Sequence, residues 1–251
     1  MERRVGERRS AIVTGGASGI GKACVDQLIA QGWAVTIADR NPDGEAQVEA
    51  IRAAGGTAQF VATDVSREED VRALLAAATG AYGQLHGAIN CAGVVGMSKP
   101  VHEIAVEDYD RILAVNLRGM FLCIKHQVAA MLPYRDGSIV AVSSAAALKG
   151  LPWSSDYCSS KAGIDGLVRG AAMDCAEHNV RINAVLPGAT ITPLAMSSSN
   201  ANPALAKTRT RPMERMAEPA EIAAAAVFLV GPGGSFVTGI SMPVDGGMVI
   251  A

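Results

Sequence analysis

AIVTGGASGIGKA, residues 11–23, joins an apolar run to a stretch of helix formers through a turn that contains Gly15, Gly19 and Gly21. Glycine lets the backbone turn tightly and approach a ligand closely. The free N–H groups and the positive dipole at the start of the following helix favour an anion. A glycine-rich turn alone is weak evidence, since a simple tight turn has the same composition. Between a strand and a helix, however, it predicts a phosphate-binding turn.

Apolar runs bounded by turn residues alternate with helical stretches from Ser10 onward, as is typical of βαβ units in a parallel sheet. The predicted strands lie near residues 10–14, 33–38, 57–62, 85–90, 137–143, 180–185 and 240–244. The predicted helices cover residues 20–31, 44–54, 68–82, 106–132, 155–177 and 219–230. We therefore expect an α/β chain with a Rossmann-like, doubly wound parallel sheet of about seven strands. It forms one domain over residues 10–251, after a flexible N-terminal tail of residues 1–9.

Asp39 ends the second predicted strand, about 20 residues beyond the glycine turn. A carboxylate at this point can accept hydrogen bonds from the ribose hydroxyls of a dinucleotide and repels a 2′-phosphate. Ser18, inside the turn, offers no positive charge to offset that repulsion. The sequence therefore favours NAD as the cofactor over NADP. Arg40 is the dissenting feature, because a guanidinium can bind a phosphate or stack on adenine.

The stretch from residue 193 to residue 217 interrupts the alternation of strands and helices. Its segment SSSNANPALAKTRTRP, residues 197–212, is polar, rich in turn formers and longer than an ordinary connection in a compact domain. Long loops beside a site are commonly functional, so we expect a substrate lid over residues 193–217. An insertion without a role is the alternative.

Composition excludes several classes of protein. The chain has 251 residues, 49% of them hydrophobic, and a net charge of −2, so it lacks the basic surface that nucleic acid requires. Its five cysteines form no CxxC pair and no zinc-ligand spacing with the four histidines, which indicates reduced thiols and no metal. The charged N-terminus is unlike a secretory signal, and no apolar run is long enough to span a membrane. We expect a cytoplasmic protein.

Tyr157 and Lys161 are four residues apart in a predicted helix, so their side chains lie on one face. Many helices carry such a pair by chance, and the spacing alone says little. Ser144 follows the predicted strand GSIVAV, and ligands of doubly wound sheets bind at the carboxyl ends of the strands. Asn90 and Asn116 add two amides in apolar surroundings, where an amide usually satisfies a hydrogen bond in the core.

Taken together, the motifs of the chain resemble those of the classical short-chain dehydrogenase/reductase family. They are, in order, TGGASGIG, Asp39, the pair Asp64-Val65, NCAG, Asn116, Ser144, Tyr157-x-x-x-Lys161 and Pro187-Gly188. The resemblance covers residues 10–247, and no catalytic position departs from the family pattern. It implies a nicotinamide-dependent oxidoreductase that interconverts a secondary alcohol and its ketone.

The resemblance also implies a role for each catalytic residue. Tyr157 would be the general acid or base. Lys161 and the positive charge of the nicotinamide would together stabilise its phenolate, and Lys161 would also bind the nicotinamide ribose. Ser144 would hydrogen-bond the substrate oxygen, and Asn116 would hold a water that links Lys161 to solvent. The implied cofactor contacts are Gly15, Ser18, Gly19, Ile20, Gly21, Asp39, Asp64, Val65, Asn90, Gly93, Tyr157, Lys161, Pro187, Gly188, Thr190 and Thr192. Thr190 and Thr192 compete for the carboxamide.

By the same resemblance, a mainly apolar set of residues would face the substrate: Val95, Met97, Ala146, Trp153, Leu194 and Met196. This set favours an uncharged substrate, either cyclic or otherwise hydrophobic. Four basic residues are near in sequence and leave an acidic substrate open: Lys149, Lys207, Arg209 and Arg211.

The C-terminal end of the chain indicates how the protein assembles. The apolar C-terminal run FVTGISMPVDGGMVIA, residues 236–251, suggests burial against another subunit, and the resemblance points to a homotetramer.

An alternative activity is a 3-oxoacyl-thioester reductase of fatty-acid synthesis, which would need NADPH and a basic patch for its carrier. A non-catalytic dinucleotide-binding protein is a remoter alternative.

Overall fold

Seven parallel strands form one sheet in the computed structural model, which describes residues 8–202 and 212–251. They are β1 (Ser10–Thr14), β2 (Ala34–Asp39), β3 (Thr57–Ala62), β4 (Gly87–Asn90), β5 (Gly137–Val142), β6 (Val180–Pro187) and β7 (Ser241–Val244). The strand order is β3-β2-β1-β4-β5-β6-β7, and every neighbouring pair is parallel. The predicted doubly wound parallel sheet is therefore confirmed.

Helices cover both faces of this sheet. They are α1 (Gly19–Ala30), α2 (Asp43–Ala53), α3 (Glu68–Tyr82), α4 (Val106–Leu113), α5 (Gly119–Met131), α6 (Ser155–Cys175), α7 (Pro193–Ala201) and α8 (Pro219–Val230). One buried cluster joins α3, α5 and α6 to the sheet, and a second joins α1, α2 and α8 to its other face. Because both faces are covered, the strands are continuous apolar runs.

The strand order reverses between β1 and β4, where a crevice opens at the carboxyl ends of the strands. Thr14, the last residue of β1, lies beside Ala38 of β2 on one side and Asn90 of β4 on the other. The loops that follow these three strands consequently leave the sheet at one edge. This register brings the sequence motifs together.

The predicted helix over residues 106–132 is interrupted. α4 ends at Leu113, and a π-helical turn over Ala114–Arg118 connects it to α5. A π turn re-aims the side chains that it carries, and such turns recur at functional sites. Asn116 lies inside it and is buried, so the interruption turns an amide inward.

The lid segment, residues 193–217, begins with a helix that its serine-rich composition did not indicate. α7 starts at Pro193, a residue well suited to the first turn of a helix because its φ is already helical. The C-terminal end of the lid is fixed by a parallel bridge between Thr190 and Ala217. Residues 203–211 lie outside the described part of the chain, and the gating role remains a prediction.

Part of the predicted N-terminal tail is attached to the domain. Residues 1–7 lie outside the described residues, but the carbonyl oxygen of Arg9 accepts a hydrogen bond from Ala34 N. The Arg9 guanidinium lies 5.4 Å from the centroid of the Trp33 ring. No helix within 8–202 or 212–251 is long and apolar enough to cross a membrane.

Gly21→Ala should destabilise the turn between β1 and α1, because a Cβ at this position would overlap the carbonyl oxygen of Gly15. We expect a loss of about 1–3 kcal/mol in the free energy of unfolding, as for other overpacked sites, together with weaker dinucleotide binding. Gly80→Ala is the matched control, since nothing lies within 4 Å of a Cβ there. In the last turn of α3 it should stabilise by up to about 0.5–1 kcal/mol. Denaturant unfolding and fluorescence titration measure both quantities, and equal stabilities of the two variants would contradict the expectation.

Candidate active site

A cleft of about 890 Å³ opens at the carboxyl edge of the sheet. Most of the residues assigned to the cofactor line it: Gly15, Ser18, Gly19, Ile20, Gly21, Asp39, Asp64, Val65, Gly93, Tyr157, Lys161, Pro187, Gly188, Thr190 and Thr192. They come from loops that are far apart in sequence. The parallel register of the strands brings them to one place.

The glycine turn is shaped for a ligand that approaches its backbone. Gly15 and Gly19 have φ values of +66° and +51°, a region that favours glycine. A Cβ on Gly19 would lie 3.2 Å from Thr192, at the start of the lid segment. The first N–H groups of α1 point from this turn, and the cleft is long enough to hold more than a phosphate. These features fit a dinucleotide whose pyrophosphate lies at Gly15–Gly21.

Asp39 lies in the cleft at the end of β2. Its carboxylate accepts hydrogen bonds from the N–H groups of Ala17 and Asn41, each at 3.0 Å, which fix its direction. Arg40 faces Asp64, with 3.7 Å between Nε and Oδ2, and its side chain is 72% exposed. The neighbouring guanidinium is thus held loosely, whereas the carboxylate of Asp39 is held by two main-chain donors.

Ser144, Tyr157 and Lys161 meet on the other side of the cleft. Ser144 follows β5 and accepts a hydrogen bond from Ala146 N at 3.1 Å. Tyr157 and Lys161 lie one turn apart on α6, and Lys161 Nζ is 5.7 Å from the centroid of the Tyr157 ring. The same Nζ donates to the carbonyl oxygen of Val142 at 3.0 Å. The structure therefore gathers a hydroxyl, a phenol and an ammonium group that the sequence separates.

Burial is the largest cause of the pKa shifts of Tyr157 and Lys161. It raises the pKa of Tyr157, and the nearby hydroxyl of Ser144 acts in the opposite direction. Burial lowers the pKa of Lys161 to about 8, against the charges of Cys91 and Asp165, which raise it. The protein's own groups thus raise the pKa of Tyr157. The lowering that the resemblance implied also requires the positive charge of a bound nicotinamide, and it stays a prediction. The buried ammonium of Lys161 loses part of its preference for the charged form.

Asn116 and Asn90 differ in their hydrogen-bond partners and in their position relative to the cleft. Asn116 is buried behind the cleft, where its Oδ1 accepts from Val94 N at 2.8 Å and its Nδ2 donates to Val94 O and to the Ser160 hydroxyl. A Cβ on Gly93 would lie 3.3 Å from Asn116 and 3.6 Å from Lys161. The side chain of Asn90 instead forms a reciprocal amide pair with Gln127 and does not line the cleft.

Half of the predicted substrate set reaches the cleft, namely Val95, Ala146 and Leu194. The other half, Met97, Trp153 and Met196, is not brought to it. Met97 directs its main-chain N–H to Asp156 and its sulfur to Arg111. Trp153 is exposed in a strained loop with φ +55°, and Met196 is exposed on α7.

The structure adds cleft residues that the sequence did not indicate, among them Cys91, Ser143, Leu151, Met216 and Met248. Cys91 and Ser143 adjoin predicted residues, so the ends of β4 and β5 carried a signal for them. Met248 had none, because only the turn after β7 brings it to the pocket. Lys149 is engaged nearby and donates to the carbonyl oxygens of Met248 and Ala251. Lys207, Arg209 and Arg211 lie outside the described residues.

Known proteins match the whole chain. A family model described as enoyl-(acyl carrier protein) reductase matches residues 15–249. The 2,5-dichloro-2,5-cyclohexadiene-1,4-diol dehydrogenase of Sphingobium indicum is 40% identical over 243 residues, 95% of this chain and 96% of that protein. The cis-4-hydroxycyclohexanecarboxylate dehydrogenase of Sinomonas cyclohexanicum is 38% identical over 239 residues, with the same coverage of 95% and 96%. The crystal structure of levodione reductase has a TM-score of 0.93 at 31% identity, over 97% of this chain and 98% of that one.

The similarity to levodione reductase agrees with the strand order, and the residues that the family model matches, 15–249, include the glycine turn and the Ser144, Tyr157 and Lys161 cluster. These matches extend over the carboxyl edge of the sheet as well as its core. The chain belongs to the short-chain dehydrogenase/reductase family, an oxidoreductase family that binds a nicotinamide dinucleotide.

Proposed function

We propose that this protein is an NAD-dependent dehydrogenase that interconverts a cyclic secondary alcohol and its ketone. The observation that carries the proposal is the convergence of Ser144, Tyr157 and Lys161 in one cleft with the glycine turn. The phenol and the serine hydroxyl line the same cleft, where both can reach one substrate oxygen. A bound nicotinamide would supply the hydride acceptor or donor.

Tyr157 exchanges a proton with the substrate oxygen. In the direction of ketone reduction the protonated phenol is ready to donate, because burial holds its pKa above the ordinary value. In the direction of alcohol oxidation the phenolate is required, and positive charge nearby must stabilise it. Lys161 lies on the same face of α6 with its Nζ near the ring, and so supplies that charge. Ser144 holds the substrate oxygen while negative charge develops on it.

Asp165 lies one helical turn beyond Lys161 and is buried. Burial raises the pKa of its carboxyl, while the hydroxyls of Ser143 and Ser241 and the charges of Arg169 and Lys161 act in the opposite direction. Within the described chain neither carboxyl oxygen has a partner in hydrogen-bond geometry. The ionised carboxyl raises the pKa of Lys161, which favours a charged ammonium, at a cost in folding stability.

The chemistry of the pocket supports an uncharged ring as the substrate. Apolar side chains line the cleft beside Ser144 and Tyr157, among them Val95, Ala146, Leu151, Leu194 and Met248. The nearby Lys149 is committed to two carbonyl oxygens. The names of both relatives specify a six-membered carbon ring that bears a hydroxyl group. The ring is uncharged in the first, a diol, and carries a carboxylate in the second. An apolar pocket with a few polar groups at one end suits such a molecule.

Asp39 supports NAD as the preferred dinucleotide. Its carboxylate is oriented by Ala17 N and Asn41 N at the point where an adenosine ribose would lie. A 2′-phosphate would meet this negative charge in the partly closed cleft, where charges are poorly screened. Arg40 Nε lies 3.7 Å from Asp64 Oδ2. The guanidinium of Arg40 therefore opposes the preference for NAD only weakly.

Reduction of the ketone of a 3-oxoacyl thioester is a second candidate, since the matching family model is described by a reductase of another acyl thioester, an enoyl one. The fold and the catalytic residues would serve it equally. The orientation of Asp39 argues against an NADPH-dependent reductase of this kind. Hydroxyacyl thioesters therefore belong in the panel of test substrates.

Assembly as a homotetramer and a cytoplasmic location remain predictions. Apolar side chains near the C-terminus support a subunit interface, since Phe236 is fully exposed, Ile250 is 86% exposed and Phe228 is 48% exposed. Exposed apolar groups of this size commonly mark contacts between subunits.

Wild-type protein is expected to reduce NAD in the presence of cyclic secondary alcohols faster than with acyclic alcohols, sugars or hydroxyacyl thioesters. Tyr157→Phe should lower kcat by more than about a hundredfold, the low end for a positioned general acid or base. NAD binding should persist, because the phenol acts on the substrate proton. Steady-state kinetics and fluorescence titration measure the two effects.

Tyr134→Phe is the control for this variant, since Tyr134 is an exposed tyrosine outside the cleft. It should leave kcat unchanged. The catalytic assignment would be wrong if Tyr157→Phe kept half of the wild-type kcat. The assignment of a cyclic secondary alcohol as the substrate would be wrong if hydroxyacyl thioesters gave the highest kcat/KM.

Asp165→Asn is expected to raise Tm at about pH 8, because a carboxyl with a raised pKa destabilises the fold once it is ionised. Between the ordinary value of 3.8 and the raised pKa, the folded protein binds more protons than the unfolded chain. Wild-type stability from this group is therefore present at low pH and is lost as pH rises through the raised pKa. The advantage of the variant should shrink as pH falls toward 3.8. Asp174→Asn, exposed on the same helix, is the control, and a Tm difference independent of pH would refute the assignment.

Asp39→Ser should shift the cofactor preference toward NADP. The variant loses both the ribose acceptor and the charge that repels a 2′-phosphate, and it leaves Arg40 available to a phosphate. A hydrogen bond to a charged group is worth roughly 1.5–3 kcal/mol, so kcat/KM with NAD should fall about tenfold or more. Asp110→Ser, at an exposed carboxylate on α4, should change neither value. A wild-type enzyme already faster with NADP would overturn the proposal.

A further inference from the structure

The loop after β4, residues 93–98, forms part of the wall of the cleft. Four of its residues besides Gly93 line the cleft: Val94, Val95, Gly96 and Ser98. The loop has no regular secondary structure between Cys91 and Ser98. Its position consequently depends on the contacts that its main chain makes with neighbouring elements.

Two side chains hold the main chain of this loop. Asn116 binds both the N–H and the C=O of Val94. Three residues further along, the carboxylate of Asp156 accepts the N–H of Met97 through Oδ2 at 2.8 Å. Val95 and Gly96 lie between these two anchors, on the wall of the pocket.

The carboxylate of Asp156 also binds the helix that carries the phenol. Its Oδ1 accepts the N–H of Tyr157 at 2.8 Å, so one group joins Met97 to the residue that bears the reacting hydroxyl. Asp156 is fully buried and lies in the first turn of α6, where the helix dipole favours negative charge. Both oxygens are committed to main-chain donors, and hydrogen bonds of this kind are the strong ones.

Gly96 fits closely against the same carboxylate. A Cβ at position 96 would overlap Asp156 Oδ1 and lie within 3.0 Å of its other carboxyl atoms. The φ of Gly96 is not in the left-handed region, so this constraint is purely steric. Any side chain larger than hydrogen would push the loop and the carboxylate apart.

We propose that Asp156 is a positioning residue that sets substrate specificity, by fixing Val95 and Gly96 at a defined distance from the Tyr157 hydroxyl. The inference rests on the proposed oxidation of cyclic alcohols and names a determinant of fit in that site. Asp156 makes no contact with the reacting atoms. It acts through the loop on one side and the first turn of α6 on the other.

Asp156→Asn tests this role, because an amide keeps the size of the side chain but has one acceptor where two are needed. Its NH₂ group would face a main-chain N–H, and one of the two bonds would be lost. We expect KM for a cyclic alcohol to rise about tenfold and the kcat/KM ratio between cyclic and acyclic alcohols to narrow. The NAD dissociation constant should change less than about twofold. Hydrogen exchange at Val94–Met97 should quicken, a readout that needs no substrate.

Gly96→Ala provides the second variant, since it leaves the carboxylate in place and disturbs the contact from the loop side. It should raise KM for the cyclic alcohol in the same way, even if Asp156→Asn does not fold. Asp174→Asn, an exposed carboxylate on the same helix, should leave KM, NAD affinity and exchange unchanged.

The proposal is overturned if either variant folds and keeps the wild-type KM, substrate ratio and exchange rate. It is also overturned if NAD affinity falls as much as alcohol affinity, because that would indicate general damage. Failure of the proposed function looks different, since wild-type protein would then oxidise no cyclic alcohol. In that case exchange at Val94–Met97 still reports whether Asp156 holds the loop, and unchanged exchange would refute the role.

Discussion

The side chain of Asn116 hydrogen-bonds to both main-chain groups of Val94 and to the hydroxyl of Ser160, and the geometry of the site depends on these bonds. They join the π-helical turn, the loop after β4 and the catalytic helix α6. A buried amide that lost one of these partners would leave an unsatisfied polar group in the core. Asn116 lies within the π-helical turn over Ala114–Arg118. Because a π turn changes the direction of the side chains that it carries, an otherwise regular helix points this amide toward the loop after β4.

Helix α6 concentrates the buried charges of the molecule near the cleft. Asp156, Lys161 and Asp165 are all buried on it, and Lys161 and Asp165 lie one turn apart on the same face. The hydrogen bonds of the three groups differ. Asp156 accepts main-chain N–H groups, and Lys161 donates to a carbonyl oxygen. Within the described chain, the carboxyl of Asp165 has no partner in hydrogen-bond geometry. A helix that served only packing would not carry three buried ionisable groups. The cost in stability is consistent with a site arranged for proton transfer.

The cleft divides into two halves with different chemistry. The half beside β1 and β2 contains glycine backbone, Asp39 and helix-start N–H groups, which suit a polar dinucleotide. The half beyond Ser144 and Tyr157 is lined by Val95, Leu194 and other apolar side chains, which suit a hydrocarbon ring. The hydroxyls of Ser144 and Tyr157 lie where the halves meet. Similarity to dehydrogenases named for ring alcohols agrees with this division.

The sequence by itself determined the positions of the strands, the glycine turn and the spacing of Tyr157 and Lys161. These features are local: a strand buried on both faces is a continuous apolar run, and a helix sets residues four apart on one side. Tertiary structure alone decided which neighbours face the cleft, so that Val95 lines it while Met97 turns to Asp156 and Arg111. It also brought Met248 to the pocket and paired Asn90 with Gln127. Side-chain direction in a loop depends on contacts from distant segments, and these are not encoded in any local pattern.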